Sequence, residues 1–227
     1  MSRVFCIPGI IFLFCAFVLL TIVSVSLPYL TAMDIARVNF YGNGGSVSGT
    51  GTASQLRFGI WAFCSELTNG NTICDRTGHG YSVLVQSGSS SVTIGSSWTR
   101  GLAVHPVAAG VTFIALLLSF STHVTVTLLA SLVSALAALI TLIAFAIDIA
   151  LYAYVKDKLR HIDHNTHTGP GFWLTFVSFI LLLLAACTVC FGRRRDRMSG
   201  ATSYPMSQTN NPRPGFMGRF RRNRNVV

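Results

Sequence analysis

The sequence has few charged residues, since Asp, Glu, Lys and Arg together make up 11% of its 227 positions. Soluble domains average about a quarter charged residues, so this shortage argues against an ordinary soluble domain. Glu66 is the single glutamate, and catalysis by paired carboxylates would have to recruit scattered aspartates. Motifs for a phosphate loop, a nucleophile elbow or a metalloprotease helix do not occur in the sequence. We therefore predict a protein that is not an enzyme and uses no cofactor or metal.

Apolar residues are abundant instead, at 51% of the chain, and they are concentrated in four long stretches. The stretches cover residues 5–30, 102–122, 124–154 and 171–191. A run of about 18 or more apolar residues can cross a hydrocarbon core of about 30 Å. Such a run must be helical, because lipid offers no water to the backbone N–H and C=O groups. The sequence predicts an all-α membrane domain over residues 1–192, built as a four-helix transmembrane bundle.

The first apolar stretch and the link between the second and third stretches each need interpretation. The first stretch resembles a secretory signal peptide, but its apolar run exceeds the usual 7–15 residues and Arg3 is its only basic residue. We expect an uncleaved helix. Only a few polar residues around 119–125 separate the second and third stretches, and so short a link forces an antiparallel hairpin.

Basic residues are unevenly placed, and nine of the seventeen follow the last apolar stretch. They are Arg193, Arg194, Arg195, Arg197, Arg213, Arg219, Arg221, Arg222 and Arg224. Basic residues that flank a membrane helix mark its cytoplasmic side, and this interpretation is favoured over nucleic-acid binding. The third connection contains three basic residues that oppose this orientation, Lys156, Lys158 and Arg160. The nine basic residues after the last stretch outnumber them. We predict a multi-pass membrane protein with both termini in the cytoplasm.

The tail over residues 193–227 is rich in Ser, Asn, Pro, Gly and Arg. That composition cannot bury enough surface to fold alone, so we expect a disordered tail. Basic residues beside a membrane gain about 1 kcal/mol each from anionic lipid. The candidate lipid-binding residues are Arg193, Arg194, Arg195, Arg219, Arg221, Arg222 and Arg224, with Phe216 and Phe220 interleaved. A topology signal joined to a disordered tail is the alternative.

The long connection over residues 31–101 contains glycine-serine stretches and short β-favouring runs such as 81–86 and 91–94. Turn residues between such runs predict a small extracellular antiparallel β-sheet. Cys64 and Cys74 lie ten residues apart in this connection, and an oxidising location favours a disulfide between them. So short a closed loop contributes about 2–4 kcal/mol. A binding role for the loop is the alternative to a purely structural one.

The remaining cysteines lie in the first and fourth apolar stretches, at Cys6, Cys15, Cys187 and Cys190. The spacing from 187 to 190 resembles a metal or redox pair, but it stands in an apolar helix beside arginines. Palmitoylation and a neutral pair in the core are the two favoured interpretations.

Titratable residues near the membrane are few. Asp148 is the one acid well inside an apolar stretch, and such a carboxyl usually faces a partner or water. We expect a hydrogen bond to a neighbouring helix, with proton sensing as the alternative. His105, just before Pro106, is expected to cap the entry to the second apolar helix.

Three histidines, His161, His164 and His167, cluster with Asp163 in the third connection. Histidine titrates near pH 6.5, so this connection is a candidate pH-responsive loop. A solvated polar loop is the plain alternative. A metal site is a third interpretation, because three-residue spacing on a helical turn brings two histidines to one ion.

Several motifs together resemble the fungal PalI (pali-domain) family of claudin-like tetraspan plasma-membrane proteins. The motifs are residues 5–9 (FCIPG), 26–29 (SLPY), 58–61 (FGIW) with Cys64 and Cys74, 98–106 (WTRGLAVHP) and 147–152 (IDIALY). Gly59 and Trp61 carry the loop motif, and the resemblance spans roughly residues 4–192. It implies an accessory role in ambient-pH sensing, as in one branch, or the organisation of cortical membrane domains, as in another. The tail here is shorter than the cytoplasmic extensions of some relatives.

The function predicted is that of a non-enzymatic accessory or scaffold protein, assisting an ambient-pH sensing complex. The alternatives are a structural organiser of membrane domains or cell-wall contacts, and a claudin-like pore-forming or channel-associated subunit. The scarcity of buried charge argues against the pore. Expected partners are anionic lipid at the tail, a membrane protein such as a sensor receptor, and a second copy of the chain, without nucleic acid.

Overall fold

The computed structural model describes residues 6–41, 45–47, 51–75, 78, 80–87, 90–121, 123–160 and 164–201. This described part contains four helices long and apolar enough to cross a membrane. They are Ile7–Tyr29, Ser96–Ser119, Thr125–Lys158 and Pro170–Thr188. The four-helix fold predicted from the apolar stretches is confirmed.

The helical segments form a closed bundle. They are α1 (Cys6–Tyr29), α2 (Ser96–Thr99), a 3-10 helix (Arg100–Ala103), α3 (Val104–Ser119), α4 (Val124–Lys158) and α5 (Pro170–Ala201). Helix α1 packs on α3 and α5, and α4 packs on the same two helices from the other side. Residues 120–123 join α3 to α4, which makes them the antiparallel hairpin that the short link predicts.

Helix α5 continues to Ala201 and therefore includes residues 193–201, which the sequence assigned to a disordered tail. That assignment is wrong for these residues. Extending an existing helix avoids the cost of nucleation, arginine has a high helix propensity, and the first proline beyond this run is Pro205. Residues 202–227 lie outside the described residues.

An antiparallel sheet lies at one end of the bundle. Its described strands are β1 (Ala36–Phe40), β2 (Gly45–Val47), β3 (Gly51–Phe58), β4 (Phe63–Leu67), β5 (Thr72–Cys74), β6 (Val83–Ser87), β7 (Ser90–Ile94) and β8 (His164–Thr168). Strands β5, β4 and β3 are neighbours, and β1 and β2 lie end to end along the free edge of β3. Beyond them, β8 pairs with β1, β6 pairs with β2, and β7 pairs with β6.

Strand β8 comes from the connection between α4 and α5, whereas the sequence placed the whole sheet in the first connection. It pairs with β1 over five residues, from Ala36 opposite Thr168 to Phe40 opposite His164. The segment reads HNTHT and has no apolar alternation to mark it as a strand. Its partner strand decides its conformation, and the sheet thereby ties both connections together.

The sheet packs on the projecting end of α4. The inner side chains of the strands, such as Val38, Leu56 and Phe58, share one buried cluster with Leu151 and Val155 of that helix. With 35 residues, α4 is about 52 Å long, which exceeds a hydrocarbon core of about 30 Å. The surplus length supports the sheet.

A second buried cluster fills the bundle itself. It contains small and branched side chains from several helices, including Leu20, Ala108, Ala137 and Leu182. Small residues let membrane helices approach closely. Large apolar side chains on the outside of the bundle, such as Leu132, are exposed, as lipid contact requires.

Candidate functional site

The turn that carries Gly59 and Trp61 docks the sheet on the end of α1. The helix backbone departs from helical angles at Ser26 and Leu27, and Pro28 has no N–H to donate to the carbonyl of Ser24 four residues earlier. The indole Nε1–H of Trp61 donates to that carbonyl at 2.7 Å. The tryptophan therefore satisfies a helix acceptor that the proline leaves without a donor.

Further hydrogen bonds hold the same turn. The Ile60 N–H donates to the Ser26 hydroxyl at 3.1 Å, and the Tyr81 hydroxyl donates to the Gly59 carbonyl at 2.7 Å. Burial raises the pKa of the Tyr81 phenol, which keeps it a neutral donor. A Cβ on Gly59 would lie 2.5 Å from the Cβ of Leu27, so the close approach requires glycine. The loop motif is a docking element.

Replacing Trp61 with phenylalanine is expected to lower the free energy of unfolding by about 1–3 kcal/mol, because the Ser24 carbonyl loses its donor. Thermal unfolding of the purified protein in mild detergent measures the loss. Trp98→Phe is the matched control: Trp98 stacks on Tyr154 at 4.2 Å, and a phenyl ring keeps that contact. Equal losses in the two variants would contradict the role of the indole N–H.

The disulfide predicted from the cysteine pair is confirmed. Cys64 of β4 and Cys74 of β5 are direct cross-strand partners, with their Cα atoms 4.0 Å apart. The bond joins β5 to the rest of the sheet at its edge. It is expected to contribute about 2–4 kcal/mol.

Three polar side chains meet inside the bundle, one from each of three helices. They are His105 of α3, Asp148 of α4 and Thr175 of α5, and all three are fully buried. The Nε2 atom of His105 lies 3.2 Å from Oδ2 of Asp148 and 3.3 Å from Oγ1 of Thr175. The Thr175 hydroxyl also lies 3.0 Å from the carbonyl of Gly171. We call these three residues the polar joint.

Hydrogen-bond chemistry shows how many protons the polar joint holds. The Nδ1 atom of His105 lies 2.9 Å from the Leu102 carbonyl, which can only accept, so Nδ1 carries a proton. The contact between Nε2 and Asp148 needs one further proton, which belongs either to the ring or to the carboxyl. In both arrangements the pair has no net charge, and this allows burial at modest cost.

The polar joint lies between the two buried clusters. Leu102 and Leu151, which lie three residues from His105 and Asp148 respectively, belong to the cluster under the sheet, whereas Ala108 and Ala109 belong to the cluster of the bundle. Among the described residues, Asp148 Oδ1 has no hydrogen-bond partner. A change in protonation here would act where the sheet meets the helices.

The sequence named Asp148 but did not connect it to His105. The expectation that His105 caps a helix entry is wrong, because α3 begins at Val104 and the ring turns inward to Asp148. One signal was present. An antiparallel hairpin places the start of α3 and the end of α4 at the same end of the bundle, so the two titratable residues belong to one layer.

The face of the sheet turned away from the helices, which we call the distal face, carries two rows of side chains that are polar apart from the Cys64–Cys74 disulfide. The amide row contains Thr72, Glu66, Gln55, Asn39 and Asn165, one from each of β5, β4, β3, β1 and β8. The arginine row contains Cys74, Cys64, Arg57, Arg37 and His167 from the same strands. Each member lies opposite the next in the strand register.

Each arginine of the distal face has its own carboxylate. Arg57 binds Glu66 at 2.7 Å, and Arg37 binds Asp34 through two nitrogens, at 2.8 and 3.0 Å. The hydrogen bond from Arg37 to Asp34 raises the pKa of that guanidinium. Two arginines that face each other across β1 and β3 are thereby neutralised.

The candidate pH-responsive histidines are only partly described. His161 lies outside the described residues, whereas His164 and His167 belong to β8. Residues three apart on a strand point to opposite faces. The interpretation in which a helical turn brings His164 and His167 to one metal ion is therefore wrong. His167 is exposed opposite Arg37. The described residues contain no group of three metal-ligating side chains.

The remaining candidates lie toward the other end of the bundle or in the tail. Cys187 and Cys15 are free and exposed, so a core pair involving Cys187 is wrong because that thiol faces out of the bundle. Nothing is described of the side chains of Cys6 and Cys190. The candidate lipid-binding arginines, Arg193, Arg194, Arg195, Arg219, Arg221, Arg222 and Arg224, also have no described side chains.

The fold and the docking turn define a tetraspan membrane protein: four spanning helices bear a disulfide-linked antiparallel sheet on one end. The chain belongs to the SUR7/PalI family, whose sequence pattern matches residues 5–190. This match confirms the family to which the motifs pointed. Comparison with individual curated proteins gives no match.

Proposed function

We propose that this protein is a non-enzymatic accessory subunit of a plasma-membrane complex that senses ambient pH. Both termini would lie in the cytoplasm and the sheet outside the cell. Membership of the SUR7/PalI family supports the class of protein, and a disulfide in the sheet fits an oxidising exterior. The polar joint carries the proposal, because it couples a shared proton to the packing of α3, α4 and α5.

The direction of the pH response follows from the net charge of the pair of His105 and Asp148. With one shared proton the pair of His105 and Asp148 is neutral, and α3 and α4 remain joined. When alkaline conditions remove that proton, a negative charge stays buried, and no arginine or lysine among the described residues pairs with Asp148. An uncompensated buried charge costs several kcal/mol. Rising pH therefore loosens the layer between sheet and bundle, and a partner that contacts either part would detect the change.

Asp148→Asn tests the proposal, because the amide keeps the shape and donates to Nε2 but holds no titratable proton. In the cell of origin, this variant is expected to reach the membrane at normal levels and to lose most of the alkaline induction of a reporter. The comparison variant replaces His161, His164 and His167 together. A normal response of Asp148→Asn would contradict sensing by the polar joint, and loss in the triple variant alone would assign sensing to the histidine loop.

The partner itself is identified by affinity purification from mild detergent. Recovery of a seven-helix receptor would support sensing, whereas recovery of cortical scaffold proteins would favour the organiser of membrane domains. Binding of anionic lipid by the arginine tail is a second proposal, and it rests on charge alone.

A further inference from the structure

We propose that the distal face binds an uncharged polysaccharide that lies across strands β5, β4, β3, β1 and β8. The binding side chains would be those of the amide row, together with Tyr41. This interaction surface does not depend on the pH role, because it lies on the opposite side of the sheet from the polar joint.

The charged side chains of the distal face indicate which class of ligand it can bind. Arg57 and Arg37 dominate the arginine row, but each is already paired with Glu66 or Asp34 at hydrogen-bond distance. These side chains are also only partly exposed, at 20% for Arg57 and 30% for Arg37. An anionic ligand would have to displace these carboxylates. The balance favours a ligand without charge.

The distal face also has few apolar side chains of the kind that bind a protein partner. None of the ten described side chains in the two rows is aliphatic, whereas the centre of a protein–protein interface is enriched in aromatic and other large apolar residues. Tyr41 directly follows β1 and continues the alternation that places Asn39 on this face, and it is 60% exposed. One tyrosine among amides suits a sugar ring, which presents hydroxyls at its edge and C–H groups on its face.

The amides are also held in place. The Gln55 side chain donates to Oδ1 of Asn39 and accepts from Nε of Arg57 at 2.6 Å. This leaves the amide N–H groups of Asn39 on the same row as the exposed Asn165. A side chain fixed before binding loses less entropy on binding. The planar donors and acceptors can then meet neighbouring hydroxyls of a sugar without rearrangement.

The length of the row indicates a polymer rather than a single sugar. Five neighbouring strands spaced about 4.8 Å apart place the ends of the row roughly 19 Å from each other. A ligand that contacts Thr72 at one end and Asn165 at the other must extend over several sugar units.

The test uses the full chain in nanodiscs of zwitterionic lipid, with a soluble linear β-glucan as the probe and heparin as a polyanion of similar length. The glucan is expected to bind, with an affinity that changes little between low and high salt. Asn165→Ala combined with Asn39→Ala should weaken binding about tenfold, and Tyr41→Ala should weaken it similarly. Gln86→Ala, an exposed amide on β6, is the matched control and should leave binding unchanged.

The results of this experiment distinguish an uncharged polysaccharide from an anionic polymer. Absence of glucan binding by the unaltered protein would overturn the proposal, and so would an equal loss in Gln86→Ala. Tighter, salt-sensitive binding of heparin would assign the face to anionic polymers instead. Asn165→Ala alone alters an exposed side chain, so the unfolding temperature is expected to stay unchanged while binding weakens, and a normal affinity there would remove Asn165 from the site.

Discussion

His105→Leu is expected to lower the free energy of unfolding by about 3–5 kcal/mol. The substitution removes the ring that shares a proton with Asp148 at 3.2 Å and leaves a fully buried carboxyl without its partner. Asp148 Oδ1 already has no hydrogen-bond partner among the described residues. The substitution would also remove the His105 partner of Oδ2. Chemical unfolding in detergent micelles, followed by circular dichroism, measures the loss.

A double replacement distinguishes the loss of a partner from the loss of packing. His105→Leu combined with Asp148→Leu removes both polar groups, and replacing a buried ion pair with apolar residues is often neutral or stabilising. We expect the double variant to recover most of the stability, which gives a coupling energy above about 2 kcal/mol. Thr141→Val with Asp148→Leu is the control, since the Thr141 hydroxyl bonds within its own helix. Additive losses for His105 and Asp148 would contradict the shared proton.

Gly169→Ala is expected to cost about 3 kcal/mol, because the new Cβ would lie 2.1 Å from the backbone oxygen of Asp34. A backbone atom cannot move aside by a change of rotamer. The same two segments are joined by hydrogen bonds from Gly169 N–H to the Ile35 carbonyl and from Gly171 N–H to the Asp34 carbonyl, at 2.8 and 2.9 Å. The substitution therefore separates β8 and the start of α5 from the segment that leads into β1.

Gly110→Ala is the matched control for this prediction. Gly110 lies inside α3, and a Cβ there would meet nothing within 4 Å. Alanine in a helix is more stable than glycine by about 0.5–1 kcal/mol, so this variant should unfold at a higher temperature. A change of the same sign and size in both variants would contradict the steric argument at Gly169.

The membrane helices could be predicted from the sequence because the solvent dictates them. A long apolar run in lipid must be a helix, whatever its neighbours are. The disulfide of Cys64 and Cys74 was predictable for a related reason, since two nearby cysteines in one connection have few other partners. Where the chain left the apolar runs, prediction failed in detail: β8 and residues 193–201 take their conformation from a neighbouring strand and from a preceding helix.

The candidate site depended on contacts between distant segments. Ser24 and Trp61 are 37 residues apart, and His105 and Asp148 are 43 apart, so no local pattern joins them. The two rows of the distal face likewise required the register of five strands, one of which comes from the connection between α4 and α5.

By itself, the sequence determined that this protein crosses a membrane four times, carries a disulfide-linked sheet and belongs among the tetraspan proteins. Apolar runs and the shortage of charge indicate the membrane helices, and turn residues, β-favouring runs and two nearby cysteines indicate the sheet. All of these signals are local in the chain. Only the tertiary structure decided which polar groups meet. Among the described residues, buried Asp148 pairs with buried His105, and buried Asp34 pairs with the partly buried Arg37. A lone buried charge costs too much free energy, and such pairing is a property of the folded chain.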